Sequence, residues 1–198
     1  MTENILVTRP DHDDITSYLS YWTEDIIKFG EGKGFKISDF KGKKANRKDV
    51  ENFLKKKKPV FTFFNGHGSD SKILGQNDET LIEEGENDDL PESIVYSLVC
   101  SSAKKLGRSC IQKNTKCYIG YDEEFAALLQ ITRIATPDKD KMAKAFSQPA
   151  MTIPKEILKG KTTGEAYNKS QQQFQKQIEY YSSSITPHGT QHFIPYLL

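Results

Sequence analysis

Two side chains in this sequence are placed where they could do chemistry together. His67 stands in Asn65-Gly66-His67-Gly68, directly after the apolar run Val60-Phe61-Thr62-Phe63-Phe64. Cys100 opens Cys100-Ser101-Ser102, directly after the apolar run from Ile94 to Val99. Short apolar runs of this kind read as buried strands. In an open parallel α/β sheet, groups just past the carboxyl ends of the strands share one crevice, where ligands bind. A histidine and a cysteine there are predicted to form a base and nucleophile pair. A free thiol titrates near about 8.5 and is only a few per cent ionised at neutral pH. Cys100 is predicted at the amino end of a helix, which adds only about 0.3–1 kcal/mol, less than one pKa unit. A base is therefore required, and His67 reads as the only histidine with a strand end beneath it. Gly68 lets backbone approach a substrate, and its N–H with that of Cys100 would form an oxyanion hole. One such donor is worth about 2.7–4 kcal/mol in a transition state. The same residues also fit a plainer reading, a bonded turn histidine and a small buried thiol.

The elements that must position this pair alternate along the chain. Ile5-Leu6-Val7 is a strand stopped at Pro10. Ile15, Leu19, Trp22, Ile26 and Phe29 recur at helical spacing, and Gly30, Gly32 and Gly34 end that helix. Phe35 to Ser38 reads as a strand, and Asn46 as the cap of a helix carrying Val50, Phe53 and Leu54. Ile73-Leu74 and Thr80-Leu81-Ile82 are predicted to pair as a hairpin, with an exposed acidic loop from Glu83 to Asp89. Ala103, Leu106, Cys110 and Ile111 are predicted on one buried helix face, followed by a strand from Cys117 to Tyr121. Two helices close the chain, around Met142 to Phe146 and from Thr163 to Tyr181. Thr162 and Glu165 have capping-box spacing for the last, with Tyr167, Ser170, Phe174, Ile178 and Tyr181 as its buried side. This order predicts an α/β fold: a mostly parallel sheet, helices on both faces and a small β-hairpin insertion after the histidine strand.

Composition narrows the partners. The chain has 198 residues, which suits a single domain over 1–198. Basic and acidic residues number 28 and 27, so bulk charge points to neither nucleic acid nor an anionic membrane. There is no secretory leader pattern and no spanning apolar segment. Three cysteines without framework spacing fit a reducing compartment, so a cytoplasmic protein is expected.

Taken together, Phe63-Phe64-Asn65-Gly66-His67-Gly68 and Leu98-Val99-Cys100-Ser101-Ser102 resemble the caspase-like fold of clan CD cysteine peptidases. That group holds caspases, metacaspases, gingipains, separase and CHAT domains. Ala103 to Gly107, Tyr118-Ile119-Gly120-Tyr121 and Ile157 to Thr162 also look like bacterial CHAT or gingipain-like domains. Val99 departs from the family, where alanine is common. The resemblance covers nearly the whole chain and implies a cysteine endopeptidase without cofactor. In it Cys100 attacks a peptide carbonyl, His67 handles the proton, and Gly68 and Cys100 hold the oxyanion. It also implies a protein or peptide substrate and a regulatory or activating partner.

In such folds the loop after the first strand and the segment after the cysteine strand line the S1 pocket. Here those carry Asp13 and Asp122, and a carboxylate in either place would select a basic P1 residue. Asp13 equally fits a helix cap, and a hydrophobic P1 competes. No metal site is predicted: Pro187 and Gly189 break the spacing of His188 and His192, and the cysteines lack paired spacing. Two other readings remain, a catalytically silent caspase-like interaction module and a receiver or flavodoxin-like signalling domain. A receiver wants an aspartate at the end of its third strand, where this chain has Asn65-Gly66-His67.

Overall fold

Ile5, Leu6 and Val7 are buried in β1 (Asn4–Arg9), which lies inside a five-stranded sheet with apolar cover on both sides. The computed structural model describes residues 3–125, 128–183, 194 and 197. They fall into two compact units, Met1–Phe125 and Ala126–Leu198.

In the first unit β1 is followed by α1 (Asp14–Gly32), β2 (Lys36–Lys41), α2 (Arg47–Lys57), β3 (Phe61–Asn65), β4 (Lys72–Leu74) and β5 (Thr80–Glu83). After these come β6 (Ile94–Leu98), α3 (Leu106–Gln112) and β7 (Cys117–Ile119). The strand order is β2-β1-β3-β6-β7, every pair parallel, while β4 and β5 form a separate antiparallel hairpin. The predicted α/β architecture with its hairpin insertion is thus the one observed. Strand alternation divides the sheet into two faces. Leu6, Phe64 and Val95 pack with Val50 of α2, Leu106 and Cys110 of α3, and the hairpin residues Ile73, Leu81 and Ile82. Arg9 and Asn65 point the other way and bond to Ser20 and Thr23 of α1. Helices therefore cover both faces, as a buried parallel sheet requires.

This order contains a reversal. The chain leaves β1 for β2 on one side, then returns past β1 to β3 on the other. The carboxyl ends of β1 and β3 thus flank the topological switch point, where the connecting loops part and leave a crevice.

Three local expectations are corrected. The residues from Ser101 to Lys105 are turns, and α3 is seven residues long, with Leu106 and Cys110 buried but Ile111 47% exposed. So short a helix has one buried stripe, and Ile111 lies beside it. In the second unit, α4 (Lys141–Leu158) runs far beyond Phe146, through Pro149 and Pro154. Proline removes a helix donor and crowds the preceding turn, which is why the sequence pattern stops early. Here Phe146, Ala150, Ile153 and Leu158 are buried alongside α5 (Thr163–Ser182), and Ser170 of α5 donates to the Pro149 carbonyl at 2.8 Å. The predicted Thr162–Glu165 capping box is present, whereas Tyr167 faces solvent, 47% exposed.

The acidic loop hides one structural carboxylate. Asp88 is fully buried and pairs with Lys113, just past the end of α3. Burial pushes its carboxyl up, but the Lys113 ammonium, the Ser109 hydroxyl and backbone N–H groups together hold it below the ordinary value. A lowered folded value stabilises above the unfolded pKa of about 3.9, and that contribution is lost as pH falls through the folded value. Urea unfolding of Asp88→Asn is expected to show a loss of about 1–3 kcal/mol at pH 7 that shrinks toward pH 2. A loss that does not change with pH would contradict the assignment.

Candidate functional site

The loop leaving β1, Pro10-Asp11-His12-Asp13, reaches the switch point with Asp13 at its end. Asp13 is the N-cap of α1: its Oδ1 accepts from the Thr16 N–H at 2.8 Å, and Thr16 Oγ1 accepts from the Asp13 N–H at 3.1 Å. This capping box satisfies helix donors that would otherwise be orphaned. The second oxygen, Oδ2, lies 2.6 Å from His67 Nε2, in the loop after β3. One carboxylate thus serves the helix and the rim at once. Burial pushes the Asp13 carboxyl up, but the Thr16 N–H and the His67 imidazole together hold it below its usual value. The sequence offered Asp13 either as a cap or as a site carboxylate, and the structure makes it both a cap and the partner of His67.

His12 completes this side of the rim, and it corrects the reading of His67 as the only histidine above a strand end. Its side chain is only 13% exposed, and among the described residues neither ring nitrogen makes a hydrogen bond. Nε2 nevertheless lies 3.3 Å from Asp78 Oδ1 and 3.6 Å from Asp13 Oδ2. The two imidazole rings meet edge to face, with centroids 6.0 Å apart. Asp78 arrives from the turn between β4 and β5, where Asn77 and Asp78 both take left-handed backbone, with φ of 54° and 60°. Such a conformation costs a residue with a Cβ about 1–2 kcal/mol. It persists here because the turn is tied on both sides: Gln76 donates through its N–H to the Ala45 carbonyl and accepts from the Asp11 N–H, each at 2.9 Å. Nothing in the sequence placed Asp78 near His12, since their meeting depends on that turn. His12, three residues past a strand end, was legible.

The loop after β3 is shaped by steric limits. Gly66 has φ of 136°, and a Cβ there would come within 2.7 Å of the Leu74 carbonyl oxygen. At Gly68 a Cβ would overlap both the Lys72 carbonyl oxygen and Val99 Cγ1. The hairpin packs directly on this loop, through Leu74 N–H to His67 O at 2.9 Å and Ser69 N–H to Lys72 O at 3.0 Å. Asn65 is wholly buried; it donates to the Thr8 carbonyl at 2.9 Å and accepts from Thr23 Oγ1 at 3.2 Å. It clamps β1, β3 and α1 together beneath the histidines.

Cys100 follows β6, the neighbour of β3, but its surroundings differ from those predicted. The helix begins only at Leu106, so its dipole, which fades within the first turn, does not reach the thiol. Ser101 is left-handed (φ 55°) and bonds to the Glu123 carbonyl at 2.9 Å. The thiol lies 3.9 Å from the Phe125 carbonyl oxygen. Among the described residues no hydrogen bond joins His67 to Cys100. Asp122 is exposed to solvent. His188 and His192 lie outside the described residues.

No protein-family model matches the chain, and no curated protein matches it. Solved structures do match, among them the signal receiver domain of a putative Luxo repressor protein from Vibrio parahaemolyticus. That chain is 13% identical, with 82% of this chain and 100% of that one covered and a TM-score of 0.37. Neither the family models nor the curated proteins support a peptidase, and in the structure His67 is bonded to Asp13 and, among the described residues, not to Cys100. The identification as a caspase-like clan CD peptidase of CHAT or gingipain type is therefore corrected. With it go the cysteine endopeptidase activity through a Cys100–His67 dyad and the silent caspase-like module. The physical reason is that apolar runs ending in small and polar residues are shared by parallel α/β sheets in general, and a His-Gly or Cys-Ser pair adds little to that.

Two measurements check this geometry. Gly68→Ala is expected to destabilise the protein by about 1–3 kcal/mol, through backbone overlap with the hairpin. In native alkylation, Cys110 should react at least about tenfold more slowly than Cys100 or Cys117, because burial pushes its thiol up to about 12 and the other two are half-exposed. Equal rates at all three would contradict the packing of α3.

Proposed function

We propose that the Met1–Phe125 unit is a regulatory ligand-binding domain, which takes its ligand at the β1–β3 switch point and passes the bound state to α1. The observation that supports this most is the double use of Asp13, bonded both to His67 in the crevice and to the first turn of α1. A ligand that engages His67 or Asp13 must alter how α1 is capped, and an N-cap is worth about 1 kcal/mol. That is enough to shift the first turn of a helix without unfolding the domain. The crevice position is where open α/β sheets bind ligands. A partner protein that touches the start of α1 would sense the change. Among the described residues no helix is long and apolar enough to cross a membrane. The three free thiols support placing the protein in a reducing compartment.

Amide hydrogen exchange tests the coupling. His67→Ala is expected to speed exchange of the Thr16 and Ser17 amides several-fold, with amides of β6 unchanged. Unaltered Thr16 and Ser17 exchange would overturn the reading, because the rim would then have no hold on α1.

A further inference from the structure

We infer that the ligand of this rim is a divalent transition-metal ion, zinc or a metal of similar chemistry, held by His12, His67 and Asp78 with Asp13 beside them. This rests on the reading of the switch point as a ligand site and gives that ligand a chemical class.

Three observations converge on it. One ligand atom each from His12, His67 and Asp78 lies within 4.8 Å of the others. Nitrogen and oxygen ligands sit about 2.0–2.2 Å from a tetrahedral zinc, so ligands of one ion stand about 3.3–3.6 Å apart, and the side chains close on the ion by rotamer adjustment. His12 is nearly buried, yet among the described residues neither ring nitrogen forms a hydrogen bond. Its Nε2 instead faces two carboxylates, Asp78 Oδ1 at 3.3 Å and Asp13 Oδ2 at 3.6 Å. A buried imidazole that faces carboxylates without a formed hydrogen bond calls for an explanation, which an ion taken at its lone pair supplies. Finally, Asp13 touches both imidazoles, 2.6 Å from His67 Nε2 and 3.6 Å from His12 Nε2. A carboxylate on a ligating histidine fixes the ring and raises its basicity.

The donor set decides the class of ion. Two imidazoles and a carboxylate suit zinc, nickel, copper or ferrous iron, whereas magnesium and calcium take oxygen ligands. Asp78 supplies the ligand from the hairpin, already aimed by the left-handed pair Asn77 and Asp78. Cys100 has no part in the set.

The test is titration of the metal-free full chain with Zn²⁺, Co²⁺ and Mg²⁺, followed by calorimetry and by the visible spectrum of the cobalt form. One equivalent of Zn²⁺ is expected, with no competition from Mg²⁺ and no thiolate charge-transfer band in the cobalt spectrum. Affinity should fall at least about tenfold in Asp78→Asn, and about 100-fold or more in His12→Ala and His67→Ala. Asp78→Asn guards against misfolding as the cause, because asparagine accepts left-handed backbone. Absent Zn²⁺ and Co²⁺ binding, binding that survives His12→Ala, or a thiolate band would each overturn the inference. If metal fails to bind while Thr16 and Ser17 exchange still responds to His67→Ala, only the metal assignment falls. If metal binds and that exchange is unmoved, the regulatory reading falls instead.

Discussion

The two oxygens of Asp13 face different parts of the protein, and the rim is organised by that division. One closes the capping box of a 19-residue helix; the other holds an imidazole at the mouth of the sheet. Neither contact is unusual alone. Their sharing of a single carboxylate is what the proposed coupling of crevice and helix rests on. Beneath them, Asn65 of β3 is hydrogen-bonded to both β1 and α1, through the Thr8 carbonyl and Thr23 Oγ1.

The position of this cluster follows from topology. Because β1 lies between β2 and β3, its outgoing loop and that of β3 are the two that diverge across the sheet. Residues on them meet without distorting either strand. The hairpin of β4 and β5 then closes the site from the side, and Gly66 and Gly68 permit that approach by lacking a side chain where backbone needs to pass. Asp78 comes with it. The site is built from three segments far apart in sequence, each held in place by backbone hydrogen bonds.

Much of the fold was legible in the amino-acid sequence because hydrophobic periodicity reports burial directly. Leu19, Trp22 and Ile26 marked α1, the run before Asn65 marked β3, and Thr162 with Glu165 marked the start of α5. Where reading failed, a local rule met tertiary context. Prolines in α4 broke the pattern but not the helix, and Ile111 fitted a stripe that so short a helix does not have. The same holds for chemistry. Short words after strands drew attention to His67 and Cys100, since spacing shows which residues reach the rim. It does not show which way they turn: His67 turns to Asp13, and Cys100 lies by Phe125. His12 was visible beside β1 but carried no motif, and Asp78 depended on a left-handed turn that no pattern announces.

The claim that the crevice and α1 are linked through one carboxylate is most directly measured by a double-mutant cycle in unfolding free energy. It would combine Asp13→Asn, His67→Ala and the pair. Coupling of about 0.5 kcal/mol or more between the two sites is the predicted result, since directly bonded residues are not additive. Additivity within about 0.3 kcal/mol would contradict the account.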